Sequence, residues 1–572
     1  MNPTRHSPTV APETFSALEV IRARAAAGRL RPWGAAIAAV VVLIANQAVL
    51  RFDWLVFDDD INVFFNPHLG GLNGESVTWA FSNLDYVRRY LPLGWLGFDA
   101  LIAVDGYNAS VFHAASWLLS GLNAALAFLI GYALLPGVGP VHSPRIAWQR
   151  SGVALFGALV WSLHPLRAET AGWISGLLYL ASTTCAGFAI LLHLHGARTG
   201  AMANRGPLRI LAALCYLASV LVYPVFLALP AVLTWLAVVR KGRSHLVAEI
   251  RSLSTWWLAA AFALGMNFFA QATASGPFPG FTALENFGLI PRAIAAVRTY
   301  LFYLAHTAWP ETTSVFLGRI DGLMEIGHAK WVLAILLPAG LGAFLWKKTR
   351  SRATAYAVAA LLSLAPFLGA MDPHFTVSDR YTVLWLGILA CALGEVLISP
   401  AGRILEIAKY FAAGVVLVAC VAAYGPALAP WQNTATLQKR IDEVNAAKPD
   451  VVMNYARPAT ALWWMGQREE AVQRLREGFA KFPDSIHLRA VQQELAETDT
   501  RWRGLVGNRT SIAPMAVMHH NLGQAWMQRG HPASAAPHFK RAFQLAPEFA
   551  EAAAGLVAAT APPGSPRDSK PK

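Results

Sequence analysis

An all-α membrane protein ending in a helical-repeat region is the fold class this sequence predicts, on three observations. Of its 572 residues, 55% are hydrophobic and 14% charged, and the mean hydropathy is +0.41, whereas ordinary soluble proteins carry about 25% charged residues. Apolar runs long enough to cross a bilayer recur as far as Tyr424 and then stop. Beyond Tyr424 the pattern becomes mixed and a repeat appears. This composition excludes a simple soluble enzyme, and the 44 Gly and 34 Pro, aperiodic in so apolar a chain, exclude a disordered or collagen-like one. The net charge of +14 implies cytoplasmic loops facing anionic lipid and no nucleic-acid partner. Cys185, Cys215, Cys391 and Cys420 all lie inside apolar runs without metal-ligand spacing, so neither disulfides nor a structural zinc is expected.

Residues 1–33 form a cytoplasmic amino-terminal segment, because Arg5, Arg22, Arg24, Arg29 and Arg31 precede the apolar run Gly34 to Leu50 and no small-residue cleavage site follows it. A polytopic domain, 34–424, then carries spans at 34–50, 111–134, 151–165, 172–194, 208–222, 224–239, 255–272, 331–346, 354–371, 381–399 and 407–424. That makes about eleven. The positive-inside rule puts Arg145 with Arg150, Arg198 with Arg205 and Arg209, Arg240 to Arg251, and Lys347 to Arg352 on the cytoplasmic side. The alternation holds only if segment 290–309, with Pro291, Arg292, Arg298 and His306, is an interfacial or re-entrant helix inside an outer loop 273–330. The other outer segments are 51–110, 164–171 and 372–380, and the carboxyl-terminal region lies outside as well.

In region 425–561, Gly466, Ala471, Leu475 and Pro483 are matched 64 residues later by Gly530, Ala535, Phe539 and Pro547. This spacing fits the helix–turn–helix tetratricopeptide unit of about 34 residues. The units fall at 452–485 and at 516–549, where Gly523 and Trp526 also take expected places. The stretch 486–515 is too short for a full unit, although Ile486 to Ala496 supplies one helix. Two repeats rarely bury a core alone, so the array is expected to lean on the membrane domain. The tail 562–572 has a disordered composition.

The first outer loop opens Phe57-Asp58-Asp59-Asp60. Three consecutive carboxylates next to an anionic membrane surface repel one another and the headgroups, which invites a functional explanation, although a solvated loop start accounts for an isolated acidic run.

The string FDDDINVFFNPHL, then Trp79-Ala80-Phe81, Tyr90-Leu91-Pro92-Leu93, Phe112-His113 and Asn123, resembles the first outer loop and second span of membrane O-mannosyltransferase-like proteins bearing tetratricopeptide repeats. These belong to the GT-C class of polyprenyl-phosphate-sugar glycosyltransferases. Leu163-His164-Pro165-Leu166-Arg167-Ala168-Glu169 with Trp173-Ile174-Ser175-Gly176 is similar to the turn between their third and fourth spans, and Ser378-Asp379-Arg380-Tyr381-Thr382 to their Asp-Arg-Tyr motif. The resemblance implies a GT-C-like membrane domain and transfer of a sugar, mannose by analogy, from a polyprenyl-phosphate donor. The acceptor would be an exported protein or surface glycan on the extracytoplasmic face.

Such a transfer needs a base for the acceptor hydroxyl and a cation for the departing phosphate. The family's paired acids align with Asp58 and Asp59, leaving Asp60 as a local extra. Either Asp58 or Asp59 is a candidate base. Arg380 is the first candidate for the donor phosphate, with Arg88, Arg89, Arg292 and Arg298 as competitors; interfacial snorkelling explains an arginine there equally well. Asp379, Tyr381, His113, His164 and Glu169 are candidate supporting residues, each histidine having a structural alternative and Glu169 a helix-capping one. Adjacent carboxylates suit Mg²⁺ or Mn²⁺, but the same pair serves without metal.

The chain departs from the family at Leu91 and Ser120, where histidines are common, at Leu177, Leu178 and Tyr179, where a charged patch is usual, and at Val222-Tyr223 before Pro224. The chain therefore looks like a divergent branch, in which the implied fold and reaction class survive better than the identity of donor or acceptor. A non-catalytic envelope scaffold using the repeats to hold a partner protein is the alternative. A transporter ranks last, since most span centres are nearly free of charge. The Ala/Arg-rich composition suggests a bacterial inner membrane with periplasmic repeats.

Overall fold

Backbone crossing lipid must close its own hydrogen bonds, and an apolar chain with few strand signals does so as helix. The computed structural model describes residues 17–135, 144–198, 205–273, 289–310, 352–368, 377–446, 452–495 and 514–561, apart from a few positions inside those ranges. Among the described residues there is helix and no strand. The expected span 331–346, most of loop 273–330, Gly466, most of the helix expected at Ile486 to Ala496 and the tail 562–572 lie outside them.

Six described helices are long and apolar enough to cross a membrane: Gly28–Ala45, Ala109–Leu134, Leu177–Gly196, Pro224–Lys241, Asp379–Ile398 and Arg403–Gln432. The pair Arg243–Ser252 and Ser254–Ala272, bent by 67°, adds a seventh if it forms one span. Of the eleven expected from apolar runs, segment 331–346 lies outside the described residues, and others fall short of this length and hydropathy for two physical reasons. Gly206–Val222 and Ala355–Phe367 are apolar but short, and Pro144–Leu163 includes Arg145, Gln149 and Arg150 in its first two turns. Leu289–Ala308 is a helix of 20 residues outside the spanning set. Only 6% of the apolar window in Arg403–Gln432 is buried, and Ile404, Phe411 and Val418 stand exposed along it. A stripe of that kind suits lipid and is costly in water.

Small polar side chains join the helices. Ser182 Oγ meets Ser219 Oγ at 3.0 Å between Leu177–Arg198 and Arg205–Val222, while Asn123 Nδ2 donates to the Leu180 carbonyl at 3.0 Å and Thr184 Oγ1 to Asn123 Oδ1 at 2.8 Å. Such groups find few competing partners in lipid. The bundle is electrically polar. At one end Arg31 and Arg150 lie over the Tyr132 ring at 4.8 and 5.0 Å, and Arg240 Nη2 reaches the Leu134 carbonyl at 3.3 Å. The acids of the first loop lie at the other.

Beyond Arg403–Leu428 the chain forms the helices Thr434–Ala446, Met453–Trp464, Arg468–Lys481, Pro514–Gln528, Pro532–Leu545 and Ala550–Thr560. Met453–Trp464 packs on Arg468–Lys481 around Ala471 and Leu475, and Pro514–Gln528 on Pro532–Leu545 around Ala535 and Phe539. A Cβ at Gly523 would stand 2.8 Å from the Phe539 ring, so glycine permits that helix contact. These helices rest on the loop after the first apolar helix: Thr434 Oγ1 accepts from Val56 N at 3.1 Å, Tyr107 stacks on His538 at 4.1 Å, and Lys540 Nζ meets Asp105 at 3.1 Å.

Candidate functional site

Three consecutive acids in one turn cannot share one environment, because successive side chains diverge. Asp59 turns inward and is fully buried. Its Oδ2 accepts from Leu55 N at 3.1 Å and its Oδ1 from Ser175 N and Oγ at 2.9 and 2.6 Å, so both oxygens tie the first loop to the turn Trp173 to Gly176. Asn62 Nδ2 adds a bond to Ser175 Oγ at 3.0 Å. Gly176 makes that turn possible, since a Cβ there would lie 2.9 Å from two carbonyl oxygens. Burial pushes the Asp59 carboxyl well above its ordinary range, against the bonds from Ser175 and Leu55.

Asp58 turns the other way, with φ +66°, a conformation a side chain adopts only when its surroundings hold it there. Arg457 Nη2, from the helix Met453–Trp464, lies 2.7 Å from its Oδ1, and the same guanidinium covers the Phe57 ring at 4.8 Å. Burial raises the Asp58 carboxyl, but Arg457, Arg89 and Arg380 together hold it below the ordinary carboxylate range. Asp60, expected from sequence to be only a local extra, also faces Arg457. Burial carries it up to about 6, Arg457 opposing and Asp58 assisting, and its Oδ1 is buried with no hydrogen-bond partner among the described residues. The acids that share an environment are thus Asp58 and Asp60, two apart, and not the adjacent pair Asp58 and Asp59.

Arg380 lies in the first turn of the helical segment Asp379–Ile398, and the Asp-Arg-Tyr turn sends its three side chains different ways. Arg380 Nη1 binds Glu169 Oε1, its backbone N donates to Glu169 Oε2 at 2.8 Å, and Nε donates to the Tyr179 hydroxyl at 3.1 Å. Trp173 and Tyr381 rings flank the guanidinium at 5.2 and 5.1 Å. Asp379 turns inward, with Oδ1 3.1 Å from His306 Nε2. Arg89 is half-buried near Tyr223, Asp58, Tyr179 and Tyr381, whose negative ends hold its guanidinium more firmly protonated than usual. It follows Val87 and Arg88, both at positive φ, in a turn pinned where Tyr90 N donates to Asn267 Oδ1 at 3.1 Å. Tyr179 and Tyr223 pack at 4.2 Å between ring centres. Two arginines lined by tyrosines, with Asp58 within their field, form a site suited to a phosphate beside a carboxylate base.

The remaining candidates take structural places or lie apart. His164 Nδ1 accepts from Leu166 N at 3.3 Å, which leaves Nε2–H to donate to the Thr307 carbonyl at 3.1 Å. Burial lowers its pKa to about 4, so it is a neutral brace between its own turn and Leu289–Ala308. His113 meets the Asp53 carbonyl at 3.4 Å and the edge of Phe52, outside the arginine and tyrosine cluster. Arg88 sits one residue from Arg89, and Arg292 lies in the helix Leu289–Ala308. No group of three or more His, Cys, Asp or Glu among the described residues is arranged to hold a metal ion. Sequence reasoning gave no site role to Arg457, Tyr223 or His306. No local signal marks them, because each is brought to the site by packing of distant helices.

Comparison with protein-family models, curated proteins and solved structures finds no match to this chain.

Proposed function

We propose that the protein is an integral-membrane glycosyltransferase of the GT-C class, moving a sugar, mannose by resemblance, from a polyprenyl-phosphate donor to an exported protein or surface glycan. The observation that carries this is Asp58 in the field of both Arg89 and Arg380 at the acidic end of an apolar bundle. Asp58 takes the proton from the acceptor hydroxyl, whose oxygen bonds to the anomeric carbon as that carbon's bond to phosphate breaks. Polyprenyl phosphate leaves onto Arg380 and Arg89, where guanidinium binds phosphate oxygens in pairs. Asp60, nearer neutrality at about 6, is the second carboxylate. Asp59 holds the loop. The bent pair, Pro144–Leu163, Gly206–Val222 and Ala355–Phe367, with segment 331–346, complete about eleven spans. The amino terminus is cytoplasmic, and the carboxyl-terminal helices are tetratricopeptide units that receive a protein acceptor or partner in the bacterial periplasm.

A non-catalytic scaffold is the second reading. It is favoured by the internal pairing of Arg380 with Glu169 and of Asp58 with Arg457. Intact masses of exported proteins, with surface-glycan profiles, from cells carrying the wild-type chain or Asp58→Asn at equal membrane abundance decide between them. Loss of a sugar-sized increment in the variant is expected; unchanged spectra would establish the scaffold.

A further inference from the structure

Three other arginines with limited exposure meet an acid or a carbonyl: Arg380 meets Glu169, Arg457 meets Asp58, and Arg150 donates to the Leu135 carbonyl. Arg167 meets neither among the described residues. It ends the short turn Pro165–Arg167, is 4% exposed, and has its Nη1 buried without a hydrogen-bond partner among the described residues. The face of Trp161 lies 4.7 Å from the guanidinium. A ring face attracts a cation but accepts no N–H bond in the way an oxygen or an anion does. Burial pulls the guanidinium down to about 10, with only Tyr424 opposing. An unbalanced charge this far from water is costly and calls for a counter-charge.

A small space of mixed polar and apolar lining adjoins it. Asn46, Ser120, Asn123, Ser162 and Tyr424 line it together with Arg167, and its free volume of about 10 Å³ admits a single water-sized body. Most of the lining groups are already committed. The Tyr424 hydroxyl donates to Asn46 Oδ1 at 2.7 Å, Asn46 Nδ2 to the Val42 carbonyl at 2.9 Å, Ser120 Oγ to the Ser116 carbonyl at 2.7 Å, and Asn123 Nδ2 to the Leu180 carbonyl at 3.0 Å. Arg167 Nη1 and Ser162 Oγ remain, both buried and without a partner among the described residues. One cation and two unused donors around one small space require a small acceptor of negative charge. A water would answer the donors and leave the charge unbalanced.

We propose that this space binds a monatomic halide, chloride in the cell, as the counter-ion of Arg167. The site is separate from the arginine and tyrosine cluster. Its ion braces the turn that carries His164 on one side and Glu169 on the other, and so holds Glu169 against Arg380 from behind.

The test is the thermal unfolding midpoint of the purified full chain in detergent, in sodium gluconate and then with rising chloride or bromide at constant ionic strength. A ligand that binds only the folded state raises the midpoint in a saturable way. The wild-type chain is expected to show that rise and Arg167→Gln to lack it. Equal midpoints in gluconate and chloride overturn the proposal, and so does an Arg167→Gln protein that keeps the full halide response. Should that variant fail to accumulate, Ser162→Ala keeps the cation and removes one donor. It is expected to raise the half-saturating chloride about fivefold, and an unchanged value overturns the proposal. Bromide-soaked crystals give a second readout: an anomalous peak beside the Arg167 guanidinium is expected, and its absence is equally decisive against a halide there.

Discussion

Asp58 and Asp59 differ by one position and by everything around them, so their substitutions should part company. Asp58→Asn is expected to keep the fold, since asparagine has the same shape and both Asp58 and its partner Arg457 are partly exposed; it is expected to abolish sugar transfer at normal membrane abundance. Asp59→Asn leaves one accepting oxygen where two receive three bonds. A loss of ~2 kcal/mol of stability is expected, read as a lower unfolding midpoint, while activity per folded molecule is largely kept. Full activity in Asp58→Asn would remove it as the base. Arg380→Lys cannot reproduce the fork that reaches Glu169 and Tyr179 together. It is expected to raise the donor KM about tenfold, with less effect on kcat, and an unchanged donor KM would assign the phosphate to Arg89. The acidic string and the Asp-Arg-Tyr turn were visible in the sequence as chemistry. Which aspartate faces the arginines was not, because it depends on Ser175 and on Arg457, the latter 399 residues from Asp58.

Among elements, the turn from His164 to Gly176 and the helix Met453–Trp464 carry the site's electrostatics from opposite directions. Burial lowers the His164 pKa from 6.5 to about 4. The neutral ring is the folded form, so its stabilising contribution is complete above the unfolded value of 6.5 and is lost as pH falls through about 4. The midpoint difference between wild type and His164→Gln should therefore shrink across that window, and a constant difference would deny His164 its neutral brace. Arg457 acts the other way, holding the Asp58 carboxyl low. In Arg457→Ala the acidic limb of the kcat/KM profile is expected to move up by about one pH unit; an unmoved limb would detach the carboxyl-terminal helices from the chemistry. Long apolar helices such as Ala109–Leu134 were legible from hydropathy, and the close contact of Gly523 with Phe539 from the small-residue spacing. Pro144–Leu163 starts ahead of the apolar run 151–165 and includes Arg145 and Arg150, because an apolar run does not disclose where its helix begins.

On the scale of the whole molecule, charge and geometry divide the protein into two ends. Tyr179 touches Arg380 near the start of Leu177–Arg198, and a helix of 22 residues carries the chain about 33 Å before Arg198. Tyr223 packs on Tyr179 just ahead of Pro224–Lys241, so Arg240 and Lys241 lie at that same far end. Arg31 and Arg150 gather there around Tyr132. The acids at Asp58 and Asp60, with the carboxyl-terminal helices that reach them through Arg457 and Lys540, occupy the near end. On the proposed reading the positive-inside rule assigns the basic end to the cytoplasm, and the acidic end with the carboxyl-terminal helices would then lie outside. A phosphatase that folds only outside the cytoplasm, fused after Lys572, is therefore expected to be active. A fluorescent protein that matures only inside is expected to stay dark at the same position and to glow when fused before Met1. The reverse pattern would turn the bundle over and set Asp58, Arg89 and Arg380 facing the cytoplasm, where a donor displayed on the outer leaflet and an exported acceptor never meet them. The orientation of Lys572 thus tests the proposed chemistry before any sugar is measured.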